Sequence, residues 1–232
     1  MPALDRVARL LRFTPARLLD AQDAYALWAD TYPPRPHNPL MEVEQSVVEP
    51  VITAAKPARA LDIGTGTGRY LPLLAATGAH LVVGLDRSMP MLGYHADDRP
   101  RVCADGCRLP FPAGSFDFIC SSLMVGDVED LGAWTREVAR ILAPGGQLVY
   151  SDFHPSWSRE QWRRTFRATD GRRYELAYFP HTIDQHLACL QDSELVVRTI
   201  REPRLEPRKA PVVVVFHATK RLRIRAAAAQ TC

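Results

Sequence analysis

The sequence predicts an α/β protein built on a doubly wound, mostly parallel sheet with helices on both faces. Three observations carry that prediction. Apolar runs of strand length at residues 60–63 and 81–85 end in Gly64 and Asp86, and a stretch of helical spacing at 69–77 joins them. Two such strands and their helix form a βαβ unit, whose crossover is right-handed. The alternation then continues, and strands that alternate with helices stack as a parallel sheet buried on both faces.

Taken in order, Leu4, Val7, Ala8 and Leu11 fall at helical spacing, so residues 4–12 read as an amphipathic helix. Thr14-Pro15 offers an N-cap followed by proline at the first helical position, opening a second helix that carries Leu18, Leu19, Tyr25 and Trp28. It stops at Pro33, Pro34 and Pro36, and a third helix spans 39–55. After the βαβ unit, further strands are expected at 101–104, 116–121, 146–153, 194–200 and 211–219. A helix over 131–142 has Asp130 as N-cap and Trp134, Val138, Ile141 and Leu142 as its buried stripe. Pro144-Gly145-Gly146 stops it. Residues 154–192 break the rhythm with aromatic and histidine residues and read as a lid or insertion after the fifth strand. Residues 226–232 read as a frayed tail.

Composition narrows the function classes. A chain of 232 residues with 47% hydrophobic and 24% charged residues is ordinary for one globular domain. A formal charge of +3 does not require a nucleic-acid partner. No stretch approaches the roughly 18 apolar residues of a bilayer span. Five irregularly spaced cysteines, with no secretory-type apolar run at the first residues, lead to the expectation of reduced thiols in the cytoplasm. Cys103 and Cys107 lack a second ligand pair, so no metal is expected.

The chemistry gathers at Leu61-Asp62-Ile63-Gly64-Thr65-Gly66-Thr67-Gly68, between a strand and a helix. Glycines there allow a tight turn and close approach of a ligand to the backbone. Asp86 follows at the tip of the next strand, where a carboxylate accepts from both ribose hydroxyls of a nucleotide. The loop could also be a purely structural turn. It lacks the Gly-Lys-Ser/Thr ending of a phosphate loop, and its spacing departs from the Gly-x-Gly-x-x-Gly of nicotinamide binders. Asp62, ahead of the glycines, suits a ligand with an ammonium group better than a pyrophosphate.

Five segments in register extend this reading. Asp62–Gly68 resembles the first motif of class I S-adenosylmethionine-dependent methyltransferases. Leu85-Asp86-Arg87-Ser88 with Met91-Leu92 resembles the second, and Ala104-Asp105-Gly106 with Leu109-Pro110-Phe111 the third. Ser115–Ile119 resembles the fourth strand of that family, and Leu142-Ala143-Pro144-Gly145-Gly146 the turn before the fifth. Tyr25-Ala26-Leu27-Trp28-Ala29-Asp30-Thr31-Tyr32 is similar to a segment of the ubiquinone/menaquinone-type and biotin-synthesis-type branch (methyltransferase domain 11). The resemblance implies a seven-stranded Rossmann-like sheet and a single domain over 1–232. Residues 1–56 would form a helical cap, 57–153 the cofactor-binding half, and 154–225 the lid, substrate half and final strands.

For the site it implies S-adenosyl-L-methionine as cofactor. Asp62, Gly64, Thr65 and Gly66 would hold the methionine portion, and Asp86 the ribose, with Arg87 and Ser88 beside it. Asp105 would accept from the adenine amino group, with Gly106 and Cys107 along the ring. Ser121, Ser122 and Leu123 would border the sulfonium. Tyr25 and Trp28 would fold over the cofactor near the methyl group and the acceptor. Methyl transfer to a hydroxyl or acidic carbon needs a base. His154, just beyond the fifth strand, is the leading candidate, with Asp152 as a possible orienter, and His37 and His181 are further candidates on the substrate side. The aromatic lid points to a small, partly apolar or ring-bearing acceptor. The basic residues of the C-terminal stretch raise nucleic acid as an alternative partner. Against it stands Ser121-Ser122-Leu123-Met124, where base-amino methylators carry Asn/Asp-Pro-Pro-Tyr/Phe. A cofactor-binding relative without turnover is the remaining alternative.

Overall fold

The computed structural model describes residues 16–94, 98–157 and 161–222. Along them run β1 (Arg17–Leu19), α1 (Ala21–Trp28), α2 (Pro39–Ala55), β2 (Arg59–Ile63), α3 (Leu71–Ala76), β3 (Leu81–Asp86), α4 (Met89–Gly93), β4 (Arg101–Cys103), β5 (Phe116–Ser121), α5 (Leu131–Ile141) and β6 (Leu142–Phe153). Then come β7 (Arg164–Arg167), β8 (Arg173–Leu176), α6 (Ile183–Asp192), β9 (Leu195–Arg201) and β10 (Val213–Lys220), with one-turn 3₁₀ helices at Ala29–Thr31 and Val125–Asp127.

Seven strands make the main sheet, in the order β4-β3-β2-β5-β6-β10-β9. The first five are mutually parallel, and β10 runs antiparallel to both β6 and β9. The strand order reverses between β2 and β5, and a ligand crevice opens at the carboxyl ends beside such a reversal. Helices cover both faces. On one, Trp134, Val138, Ile141 and Leu142 are fully buried against Tyr150 and Phe216. On the other, Val48 and Ile52 of α2 pack over Val149, Val213 and Leu74.

Local chemistry sets the helix starts. Asn38 accepts from Met41 N at 3.0 Å to open α2, and Asp130 accepts from Ala133 N at 2.8 Å to open α5. The expected second helix starts later than the sequence suggested. Asp20 is its cap, accepting from Asp23 N at 2.9 Å, and Leu18 and Leu19 lie in a strand instead. That strand, β1, pairs in parallel with β8, which pairs antiparallel with β7. This three-stranded sheet lies apart from the main one.

The expected insertion at 154–192 thus has two parts. Its hairpin β7–β8 joins the N-terminal strand, whereas α6 covers the main sheet beside α5 and β9. A capping box, Thr182 with Gln185, starts α6 and was not anticipated. The helix expected at 4–12, the Thr14-Pro15 cap and the tail at 226–232 lie outside the described residues. Among the described residues, no helix is long and apolar enough to cross a membrane.

Candidate active site

The glycine loop leaves β2 and is fixed to the next strand. Gly64 N and Thr65 N both donate to Leu85 O, at 2.8 and 2.9 Å. Gly64 has φ +72°, and a Cβ there would stand 2.4 Å from Met124 Cγ, so only glycine fits. Asp86 ties the loop to α4. Its Oδ2 accepts from Gly66 N and its Oδ1 from Ser88 N, each at 2.8 Å. Burial nevertheless pushes the Asp86 carboxyl above the usual carboxylate range. Asp62, 2% exposed at the end of β2, is raised to about 7 by burial, an effect tempered by the neighbouring Thr65 hydroxyl and the Arg69 guanidinium.

These groups open into a cavity of about 850 Å³ at the carboxyl ends of the central strands, a volume typical of small-molecule sites. Its floor includes Asp62, Gly64, Thr65 and Gly66, then Asp86, Arg87 and Ser88, then Asp105, Gly106 and Cys107. Burial raises the Cys107 thiol to about 11, so it stays protonated at neutral pH. Leu123 lines the same cavity, in the left-handed conformation with φ +52°.

The roof comes from the small sheet and the N-terminal segment. Trp28 stacks on Phe166 with ring centroids 4.7 Å apart, and Tyr25 lies parallel to Trp28 at 6.2 Å. Tyr32 meets Trp28 and His37 edge-on, each at 4.9 Å. Tyr25, Trp28, Tyr32 and His37 all face the cavity, and burial lowers the His37 pKa. Trp157, Trp162 and Phe179 carry the aromatic wall outward.

Four expected residues lie elsewhere. Ser121 is fully buried and donates to Ile63 O at 2.9 Å, turned into the sheet rather than toward a ligand. His154 does not line the cavity. Its Nδ1 accepts from Ser156 N at 3.1 Å, and its Nε2 sits 3.3 Å from Glu202, and neither partner lines the cavity. Asp152 does not orient it, because its Oδ2 lies 3.3 Å from His186 Nε2 instead. His181 also lies outside the lining, with Nε2 donating to Val128 O at 2.7 Å.

Two clusters were missed. In the first, fully buried Glu44 of α2 accepts from Tyr70 Oη at 2.8 Å, Ser122 Oγ at 2.7 Å and Ser151 Oγ at 2.8 Å, and its Oε2 lies 3.0 Å from Arg69. Arg69 and Ser122 also line the cavity. A glutamate inside the stripe Met41, Glu44, Val48 and Ile52 was the available signal, since an apolar stripe rarely carries a carboxylate without a partner. In the second, Arg164 donates to Asp127 Oδ1 at 2.5 Å and to Tyr25 Oη at 2.6 Å, with its guanidinium 4.7 Å from the Phe153 ring centroid. Nothing local in the sequence marks Asp127 or Arg164.

Among the described residues, no group of three or more His, Cys, Asp or Glu is placed to hold a metal ion.

Known proteins resemble this chain in part of its length. The family model described as methyltransferase domain matches residues 61–150. The demethylmenaquinone methyltransferase of Corynebacterium urealyticum is 40% identical over 97 residues, which are 41% of this chain and 41% of that protein. The biotin biosynthesis bifunctional protein BioHC of Cellvibrio japonicus is 40% identical over 101 residues, 42% of this chain and 20% of that one. In each case the match spans well under half of the curated relative. The crystal structure of an S-adenosylmethionine-dependent methyltransferase from Mesorhizobium loti superposes with a TM-score of 0.62 at 23% identity, covering 77% of this chain and all of that one. That likeness concerns the fold.

Proposed function

We propose that this chain, whose residues 61–150 belong to the methyltransferase-domain family, transfers the methyl group of S-adenosylmethionine to a small, ring-bearing and partly apolar acceptor. The observation that carries the reading is one cavity with two differently built sides. A polar floor of glycine loop and carboxylates faces a roof of stacked aromatic rings.

The floor fits the cofactor. Thr67 presents a buried hydroxyl with no protein partner, and the open cradle at Gly66 would place a Cβ near nothing closer than Met91 Cε at 3.5 Å. Asp62 would hold the ammonium group, Asp86 the ribose hydroxyls and Asp105 the adenine amino group, with Gly106 and Cys107 along the ring. When bound, the cofactor supplies a methyl group on a sulfonium sulfur that is already an excellent leaving group. The chain's own residues therefore align the acceptor and exclude water. Trp28, Tyr25, Leu123 and Met124 line the same cavity, and on this reading they would enclose the reacting centre.

The acceptor side favours a neutral ring compound. Several relatives are demethylmenaquinone methyltransferases, and a quinol of that kind would match the aromatic roof. The basic residues Arg198, Arg201, Arg204, Arg208, Lys209, Lys220 and Arg221 lie outside the cavity lining, which favours a small molecule over nucleic acid.

The test is thermal unfolding with S-adenosylhomocysteine, S-adenosylmethionine, NAD and NADP added separately. A ligand at 100 times its Kd adds about 2.7 kcal/mol of stability. Stabilisation by the two sulfur nucleosides alone is expected, followed by mass-spectrometric detection of methyl transfer to a reduced naphthoquinone. Stabilisation by NAD or NADP instead, or by none of the four, would overturn the assignment.

A further inference from the structure

We propose that Asp127, gripped by Arg164 and Tyr25, receives the hydroxyl proton of a neutral hydroxyl-bearing acceptor. The inference rests on the methyl-transfer reading and assigns the base that His154, outside the cavity lining, does not supply.

Asp127 ends the 3₁₀ turn just beyond β5, on the same segment as Leu123 and Met124. Its side chain and that of Arg164 are each 8% exposed, and both line the cavity. Three separate parts of the fold meet here. Tyr25 comes from α1, Asp127 from the 3₁₀ turn after β5 and Arg164 from β7 of the roof. Such convergence in a cavity wall places one carboxylate beside the aromatic roof that receives the acceptor. Arg164 uses one lone pair of Oδ1, and a carboxylate has further lone pairs for an incoming O–H.

The charge balance indicates what the carboxylate accepts from. Arg164 neutralises Asp127, and Arg163, the other arginine of this wall, is paired with Glu175. Against the Asp127–Arg164 pair, a carboxylate or ammonium acceptor would lose its hydration under the stacked aromatic rings and meet no net charge in return. A neutral hydroxyl loses little and gains a charge-assisted hydrogen bond to Asp127.

The step balances within the cavity. The atom made nucleophilic by loss of the O–H proton, the oxygen or a conjugated ring carbon, forms its bond to the methyl carbon while the carbon–sulfur bond breaks, and that electron pair stays on sulfur. The O–H proton passes to Asp127 and then to solvent; where a ring carbon is methylated, its own proton is lost and the oxygen regains one, so one proton leaves in either case. Arg164 stays protonated throughout, and it makes an ionised Asp127 tolerable where burial alone raises the carboxyl.

The experiment uses the full chain saturated with S-adenosylhomocysteine and isothermal titration with three probes: 2-naphthol, 2-naphthoate and 2-naphthylmethylammonium. The expected result is at least tenfold tighter binding of 2-naphthol than of either ion. Asp127→Asn should remove that preference while leaving S-adenosylhomocysteine affinity within about twofold. Arg164→Met keeps the carboxylate but strips its counterion, so 2-naphthol binding should weaken at neutral pH and recover as the pH rises. The titratable and charged groups facing Asp127 are Arg164, Tyr25, Tyr32, Asp86 and Asp152, and of these only Arg164 is changed. Preference for either ion, wild-type 2-naphthol binding in Asp127→Asn, or an unchanged pH profile in Arg164→Met would each overturn the proposal. Failure of the wild-type chain to bind S-adenosylhomocysteine overturns the methyl-transfer reading as well. Binding of the nucleoside without discrimination among the probes overturns this inference alone.

Discussion

The floor and the roof of the cavity are made in opposite ways. The floor is assembled from neighbours in sequence: the glycine loop, and Asp86 about 20 residues later, joined by Gly66 N and Leu85 O. The roof is assembled from distant parts, with Tyr25 and Arg164 separated by 139 positions and Asp127 and Arg164 by 37. Local construction suits a cofactor whose groups are always the same. Long-range construction lets the acceptor wall vary while the sheet beneath it stays unchanged.

The floor rests on the buried carboxylate of Glu44, which joins α2 to Arg69, Tyr70, Ser122 and Ser151, and its loss gives the largest expected effect. Glu44→Ala leaves Arg69 buried without its ion pair and removes the acceptor of three hydroxyls. Stability should fall by about 3–5 kcal/mol in a denaturant titration. A loss below about 1 kcal/mol would show that the floor does not depend on this cluster.

Asp86→Ala sharpens the contrast from the floor. S-adenosylhomocysteine should bind more weakly by about 1.5–3 kcal/mol, the range for hydrogen bonds to a charged group, with 2-naphthol affinity at saturating nucleoside unchanged. Equal losses for both ligands would erase the division.

Asp62 makes the floor pH-dependent. Its folded pKa of about 7 lies above the ordinary carboxylate value, so below pH 7 it is protonated and loses its hold on an ammonium group. Affinity for S-adenosylhomocysteine should then fall by about tenfold, or ~1.4 kcal/mol, per pH unit below 7, and Asp62→Asn should flatten that slope. The same raised pKa means that the nucleoside-free protein becomes less stable as pH rises from the ordinary carboxylate range toward 7, because the folded state then holds the extra proton. A pH-independent affinity in the wild-type chain would remove Asp62 from ammonium binding.

His154→Ala has the smallest expected effect. It breaks contacts to Ser156 and Glu202 outside the cavity, so cofactor and probe affinities should stay within about 0.5 kcal/mol. A selective loss of acceptor binding would return His154 to the site.

Legibility in the sequence followed the same division. The sheet, the third helix at 39–55 and the Asp130 cap were readable because each rests on periodicity or a side chain within four residues of its target. The floor was readable because a strand–glycine–helix turn and the next strand's carboxylate lie on one short stretch. His154 was misplaced because position along a strand does not say which way the chain beyond it turns. Here Ser156 and Glu202 decide that. Asp127 and Arg164 left no trace, since an ion pair across 37 residues has no local pattern. Glu44 was the exception, visible as a carboxylate in an apolar stripe but without a partner until Ser151, 107 residues away, was folded against it.

The pairing of β1 with β8 joins residues roughly 150 positions apart. Contacts of such high sequence separation carry a large loop-closure cost and form late, after the compact sheet has shortened the distance between their ends. The short three-stranded layer is also held by few ladder bonds, which places it at the low end of local opening free energies. In native-state hydrogen exchange, β1, β7 and β8 should therefore lose protection well before β2, β5 and β6. On the proposed function, the roof that would receive the acceptor is the part that opens first, which would give a substrate a way in without unfolding the sheet beneath the cavity.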